Sequence, residues 1–298
     1  DITPDVKTVP REESAIHTGN LILINTQYPF DYAKNGLNGS SYSNPPEGIK
    51  NLWEFKNNVD NDDKTKIDIG NGTLVPTYEL GKLATSICLE KDTLTSFNQM
   101  LLDYCKTLDL SSYSSGSASQ LNVAWGWSNE TELNKDINDS NYGATYTNQA
   151  DGRTITLTDI NSQKITESIL KSNFRWIYDH AHEYGFIIRF PNACKDHTGL
   201  DSETRVHLRY IGVEHATYIH ENNLCLEKYL ELIRTKHTIN NPLVINLGDS
   251  TYNVYYVEYS AEPTSIPVPK DEDSHISGDN MNGFIIIVET DKSIKKVR

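Results

Sequence analysis

Among the nine histidines, His207 has the setting that most demands an explanation. It lies inside Val206-His207-Leu208-Arg209-Tyr210-Ile211, an alternating run that reads as a strand, and an imidazole in a strand needs a specific partner. The residues alone leave two roles open, a hydrogen-bonded structural histidine or a metal ligand. The other histidines fall short of a metal set. His180 and His182 stand two apart on an expected helix and leave it on different faces, and His215 and His220, five apart, are also out of register. His17, His197, His237 and His275 fall in expected loops. The chain has no phosphate-binding glycine loop, no Gly-x-Ser-x-Gly elbow and no His-Glu-x-x-His helix. Cys88, Cys105, Cys194 and Cys225 are widely spaced, which argues against a thiolate metal site and favours buried thiols over two disulfides.

Composition narrows the partners. With 41 acidic against 27 basic side chains the 298-residue chain carries a formal charge of −14, a field that repels nucleic acid and anionic lipid. No stretch reaches the roughly 20 apolar residues of a membrane span.

The elements that must position His207 follow from periodicity. Leu94, Phe97, Leu101, Tyr104 and Cys105 recur at helical spacing after Lys91, and a second amphipathic helix is expected from Thr166 to Tyr184, stopped by Gly185. Leu21–Asn25, Phe186–Phe190 and Val206–Ile211 read as strands, with further helices near Glu214–Glu221 and Glu227–Arg234. Residues 31–72 are rich in Asn, Asp and Gly and read as loops. Val254–Val257 and Phe284–Val288 are β-branched or aromatic runs on either side of a loop marked by Pro263, Pro267 and Pro269. The expected fold is α+β, a small antiparallel sheet with packed helices plus a C-terminal β module. Its parts are an extended lead-in at 1–20, a main domain at 21–240 and the module at 241–298.

Several pieces together carry a family likeness. Tyr184-Gly185-Phe186-Ile187-Ile188-Arg189-Phe190-Pro191, Thr198-Gly199, His207-Leu208-Arg209-Tyr210-Ile211-Gly212 and Leu224–Leu230 resemble, in order and spacing, the second half of the zinc D-alanyl-D-alanine carboxypeptidase family. Asn20–Asn25 resembles that family's opening strand, Lys91–Thr107 the helix before its substrate loop, and Ile276–Ile285 a β extension of some members.

The likeness implies zinc held by a His, an Asp seven residues later and a second His, with a Glu three residues before the last His as general base. Three ligands leave one zinc position open for a water whose pKa falls to about 7. His207 falls on the last ligand, but Gln149 and Thr156 stand at the first two. The base position is divided, because counting forward from Thr198-Gly199 gives Glu203 and counting back from His207 gives Thr204. The family's Ser-Gly-Tyr-Arg loop, whose arginine grips the substrate carboxylate, aligns with Ser115-Gly116-Ser117-Ala118 and lacks it. Asp151 and Asp159 are alternative, displaced carboxylate ligands.

Three expectations follow. The first is a catalytically silent member, with no metal, whose cleft of Ser115, Gln149, Thr156 and Arg209 binds peptidoglycan stem peptide or a cell-surface protein. The second is an active zinc D,D-carboxypeptidase with Glu203 as base and His207 as one ligand. The third assigns binding to 241–298, with the larger domain as a spacer. The resemblance and the tether-like start imply an extracellular or cell-surface bacterial setting.

Overall fold

A computed structural model describes residues 5–25, 27–35, 47–51, 66–68, 74–76, 88–107, 121–127, 149–159, 163–200, 205–260 and 263–290. In chain order the strands are β1 (Val6–Arg11), β2 (Ile49–Asn51), β3 (Lys66–Asp68), β4 (Leu74–Pro76), β5 (Cys88–Glu90), β6 (Leu121–Trp125), β7 (Thr154–Asp159), β8 (Phe186–Ile188), β9 (His207–Tyr210), β10 (Leu243–Leu247), β11 (Ser250–Glu258), β12 (Thr264–Pro269), β13 (Asp273–Gly278) and β14 (Gly283–Glu289). The main helices are α1 (Lys91–Thr107), α2 (Glu167–Asn173), α3 (Arg175–His180), α4 (Val213–Glu221) and α5 (Leu226–Lys236). This is the expected mixture of helices and small antiparallel sheets. The chain separates into two compact units, residues 37–220 and residues 1–36 with 221–298.

In the unit of residues 37–220 an antiparallel sheet runs in the order β6-β7-β9-β8. Its inner face is apolar: Val123, Ile155, Leu157 and Leu208 join Leu94, Phe97, Met100, Leu101 and Tyr104 of α1 in one buried cluster. Each such side chain contributes about 1.5–3 kcal/mol on burial. The helix starts where it does because Glu90 takes the orphan donors of its first turn, accepting from the backbone of Asp92 at 3.1 Å and of Thr93 at 3.0 Å. The helix expected at Thr166–Tyr184 is instead broken into α2, α3 and a 3-10 turn at Ala181–Tyr184. The break is at Phe174, which leaves helical geometry at φ −123 and ψ 40 while its ring stays in the core. Gly185 closes this run at φ +82, as expected of a helix stop.

The other unit pairs β1 with β12 and orders its larger sheet β10-β11-β14-β13. Its core is Ile16, Tyr255, Ile266, Val268, Phe284, Ile286 and Val288. Three local readings change here. The lead-in carries a strand, with Val6 opposite Pro269 and Arg11 opposite Thr264, followed by a 3-10 turn at Glu13–His17. The proline-marked loop is an edge strand: Pro267 and Pro269 alternate in β12, and the Pro267 carbonyl faces away from β1 to accept the Tyr255 hydroxyl at 2.6 Å. A proline without an N–H fits where that edge of the strand needs no ladder donor. Leu21–Asn25 is buried but is not a strand, because its partners are a turn and a side chain: Leu23 N–H donates to the Asp279 carbonyl at 3.0 Å and Leu21 N–H to Ser277 Oγ at 3.0 Å.

That turn is held by Asp279, fully buried, whose Oδ1 accepts the N–H groups of Met281, Asn282 and Gly283 at 2.7, 3.0 and 3.1 Å. Burial outweighs these bonds and raises its pKa. Gly278 has no substitute, since a Cβ there would stand 2.1 Å from the Ile16 carbonyl oxygen. Cys88, Cys194 and Cys225 are buried thiols, as expected; the Cys105 side chain lies outside the described residues. Among the described residues no helix is long and apolar enough to cross a membrane.

Candidate functional site

The outer face of the four-stranded sheet carries the polar residues. Trp125 of β6 stands opposite Thr156 of β7, Thr156 opposite His207 of β9, and the Arg189 N–H donates to the His207 carbonyl at 2.9 Å. Directly opposed residues share a face, so these four side chains form one row across the sheet. Val206 and Leu208 belong to the core, which turns Arg205, His207 and Arg209 together onto the same outer face.

A tight turn brings Gln149 to this row. Gly152 sits at φ +73, and a Cβ there would meet Ile49 Cδ1 at 2.7 Å and the Glu90 nitrogen at 2.8 Å, so glycine alone lets the chain pass into β7. Gln149 Nε2 then donates to Thr156 Oγ1 at 2.7 Å, and Thr156 Oγ1 lies 2.9 Å from His207 Nδ1. Gln149 and Thr156 are fully buried and His207 nearly so. Burial first, then the charges of Arg205 and Arg189, push the His207 pKa down to about 3. The imidazole is therefore neutral at physiological pH. Phe190 presents its edge to the same ring at 6.0 Å.

Two residues along the same strands the chemistry is ionic. Arg209 of β9 faces Thr154 of β7, and its guanidinium donates to Asp151 through Nη1 at 3.2 Å and Nη2 at 2.7 Å, and to Thr154 Oγ1 at 3.2 Å. Arg209 is fully buried, so it holds the turn onto the sheet. Asp151, one of the two displaced ligands considered, has both oxygens engaged in this pair. Asp159, the other, accepts the Gln163 N–H at 2.7 Å at the end of β7. Ser115 and Glu203 lie outside the described residues.

The three positions that the family likeness makes zinc ligands thus meet in space, but their donors do not suit the ion. An amide, a hydroxyl and one imidazole supply no anionic ligand, and Nδ1 of the imidazole is already bonded to the hydroxyl. Among the described residues no three His, Cys, Asp or Glu side chains converge on a metal position.

The sheet thus has one apolar face on a helix and one polar row beside a glycine turn. Residues 88–213 match the family model of D-alanyl-D-alanine carboxypeptidase, VanY, and over that stretch the chain belongs to this family. A D-alanyl-D-alanine carboxypeptidase of Enterococcus faecium is 26% identical over 287 residues, covering 95% of this chain and 78% of that protein. Another, from Enterococcus faecalis, is 40% identical over 72 residues, 24% of this chain and 26% of that protein. The fold matches a solved vancomycin-resistance D,D-dipeptidase, VanXYg, in complex with a D-Ala-D-Ala phosphinate analog, with a TM-score of 0.64 at 18% identity over 96% of this chain and 100% of that one.

Sequence reasoning passed over Arg205, Trp125 and Arg189. The signal was present in the alternation of Arg205, His207 and Arg209 with Val206 and Leu208, which marks a strand with one polar and one core face.

Proposed function

We propose that this chain is a catalytically silent member of the D-alanyl-D-alanine carboxypeptidase family that binds the stem peptide of peptidoglycan at a bacterial cell surface. The observation that carries this reading is the Gln149–Thr156–His207 hydrogen-bond chain, which fills the ligand positions with neutral groups bonded to one another. Losing anionic ligands removes much of the free energy of zinc binding. The complex of VanXYg with a D-Ala-D-Ala phosphinate analog supports the ligand class, since a scaffold of this fold accepts that peptide end.

The test is elemental analysis of protein purified without chelator, with His207→Ala beside it, and incubation with D-Ala-D-Ala peptides. No zinc in either protein, no released D-alanine and retained peptide binding are expected. About one zinc per chain, lost in His207→Ala and accompanied by hydrolysis, would establish instead an active zinc D,D-carboxypeptidase with Glu203 as its base. Binding of a surface protein but not of the peptide would move the partner to the second class.

A further inference from the structure

Charges, prolines and covering loops are how proteins keep the edges of their sheets from pairing. In the unit of residues 1–36 and 221–298 most edges have them. β1 carries Lys7, Pro10 and Arg11, and β12 carries Pro267 and Pro269. β13 starts inside the acidic run Asp271-Glu272-Asp273, and its far end gives the Gly278 N–H to the Thr18 carbonyl at 2.8 Å. β10 differs. Leu243-Val244-Ile245-Asn246-Leu247 has neither charge nor proline, pairs with β11 on one side and, among the described residues, has no strand on the other. Val244 is 50% exposed.

The turn after β10 sets which of its backbone groups face outward. Gly248 and Asp249 alone join Leu247 to its partner Ser250, with Gly248 at φ +58 in the first place of the turn. A two-residue turn of this kind closes on a hydrogen-bonded pair, here Leu247 with Ser250, and the bonds to β11 then recur at Ile245 and Leu243. The N–H and C=O groups of Val244 and Asn246 therefore point away from β11, along the bare edge.

We infer that β10 pairs with β10 of a second copy of this chain, antiparallel about a two-fold axis through Ile245, so that two four-stranded sheets become one continuous sheet. In that register Val244 of one copy lies opposite Asn246 of the other, and each such pair exchanges both of its outward N–H···O bonds. Leu243 comes opposite Leu247, so buried-face residues meet one another, and no charge meets a charge, which matters between two chains of −14 each. The ladder is bounded by Pro242, which has no N–H, and by Gly248, where the chain turns back. Both bounds leave the same five residues, so the strand matches itself in length and register. An unrelated extended segment would find no charged side chain here to select it. So short a ladder is a small interface, and the dimer belongs to the transient class. The pairing is independent of what the polar row of the other unit binds.

The experiment is sedimentation velocity of the whole chain from about 1 to about 300 μM, the range in which transient dimers dissociate. A shift from monomer to dimer with concentration is expected. Val244→Pro removes an outward N–H and leaves the β11 ladder its donors, and it should weaken dimerisation at least about tenfold because both copies lose a bond. Val244→Lys puts a charge on the edge and should weaken it too, whereas Val244→Thr keeps every backbone bond and should dimerise like the unaltered chain. Melting curves show whether each variant is folded. A chain that stays monomeric across the range would overturn the inference and leave the edge to an extended segment of another protein. A dimer unchanged in folded Val244→Pro and Val244→Lys would overturn it as well. The unaltered chain decides the first outcome even if a variant fails to fold.

Discussion

Two buried polar clusters lie two residues apart on β7 and β9, one held by opposite charges and the other by neutral groups. Asp151 and Arg209 close on each other as a forked ion pair with Thr154 completing it. Gln149, Thr156 and His207 form a neutral chain that leaves Gln149 Oε1 unfilled and sits beside the orphan donors of Arg205. A pair whose charges match each other holds structure. An unsaturated row can hold structure and still receive something, and this is why function is assigned to it and not to the more highly charged neighbour.

The largest expected effect restores the missing ligands. Gln149→His combined with Thr156→Asp should take the protein from no metal to about one zinc per chain by elemental analysis; a double variant that stays metal-free would show that the ligand positions are misassigned. Next comes the ion pair. Asp151→Ala leaves Arg209 charged and buried, at a cost of about 3–5 kcal/mol, read as a lowered denaturant midpoint, and a loss under 1 kcal/mol would mean that water reaches the pair.

Thr156→Val removes the hydroxyl that links Gln149 to His207 and should cost about 1–3 kcal/mol, less than the ion pair. The comparison fails if the two losses come out in reverse order.

The last effect is graded, a slope with pH. The His207 pKa is about 3 in the folded state against an ordinary 6.5, so the unfolded chain binds the extra proton first. Stability from this residue is complete above pH 6.5 and falls as pH drops towards 3, by up to about 1.4 kcal/mol per pH unit. His207→Gln should flatten that part of a melting-temperature profile, and an unchanged slope would assign the acid sensitivity elsewhere.

Much of this architecture was legible in the sequence because local pattern and tertiary demand agree. The stripe of Leu94, Phe97, Leu101 and Tyr104 predicts α1, and the alternation around His207 predicts β9. Two residues singled out in the sequence, Gln149 and Thr156, seven apart, meet because Gly152 turns the chain between them. Where tertiary partners decide, the pattern misleads. Leu21–Asn25 has strand composition, yet the Asp279 turn and the Ser277 side chain take its N–H groups. Pro267 and Pro269 read as a loop because periodicity says nothing of which edge of a strand needs donors. Arg205 escaped notice because a surface arginine and an arginine stacked on Trp125 look alike until the strands are aligned.

The pairing of β1 with β12 also sets an order of events during synthesis. Asp5 and Lys270, 265 residues apart, are joined by an ion pair at the end of that ladder. Contacts of such separation are slow to form, and here they must wait for residues translated much later. The sheet of β6 to β9 has all its strands by Tyr210 and can assemble on the ribosome, while the apolar segment around Ile16 waits for Ile266, Val268 and Phe284 to emerge. Until then residues 6–16 lack both the strand and the core on which they pack in the folded chain.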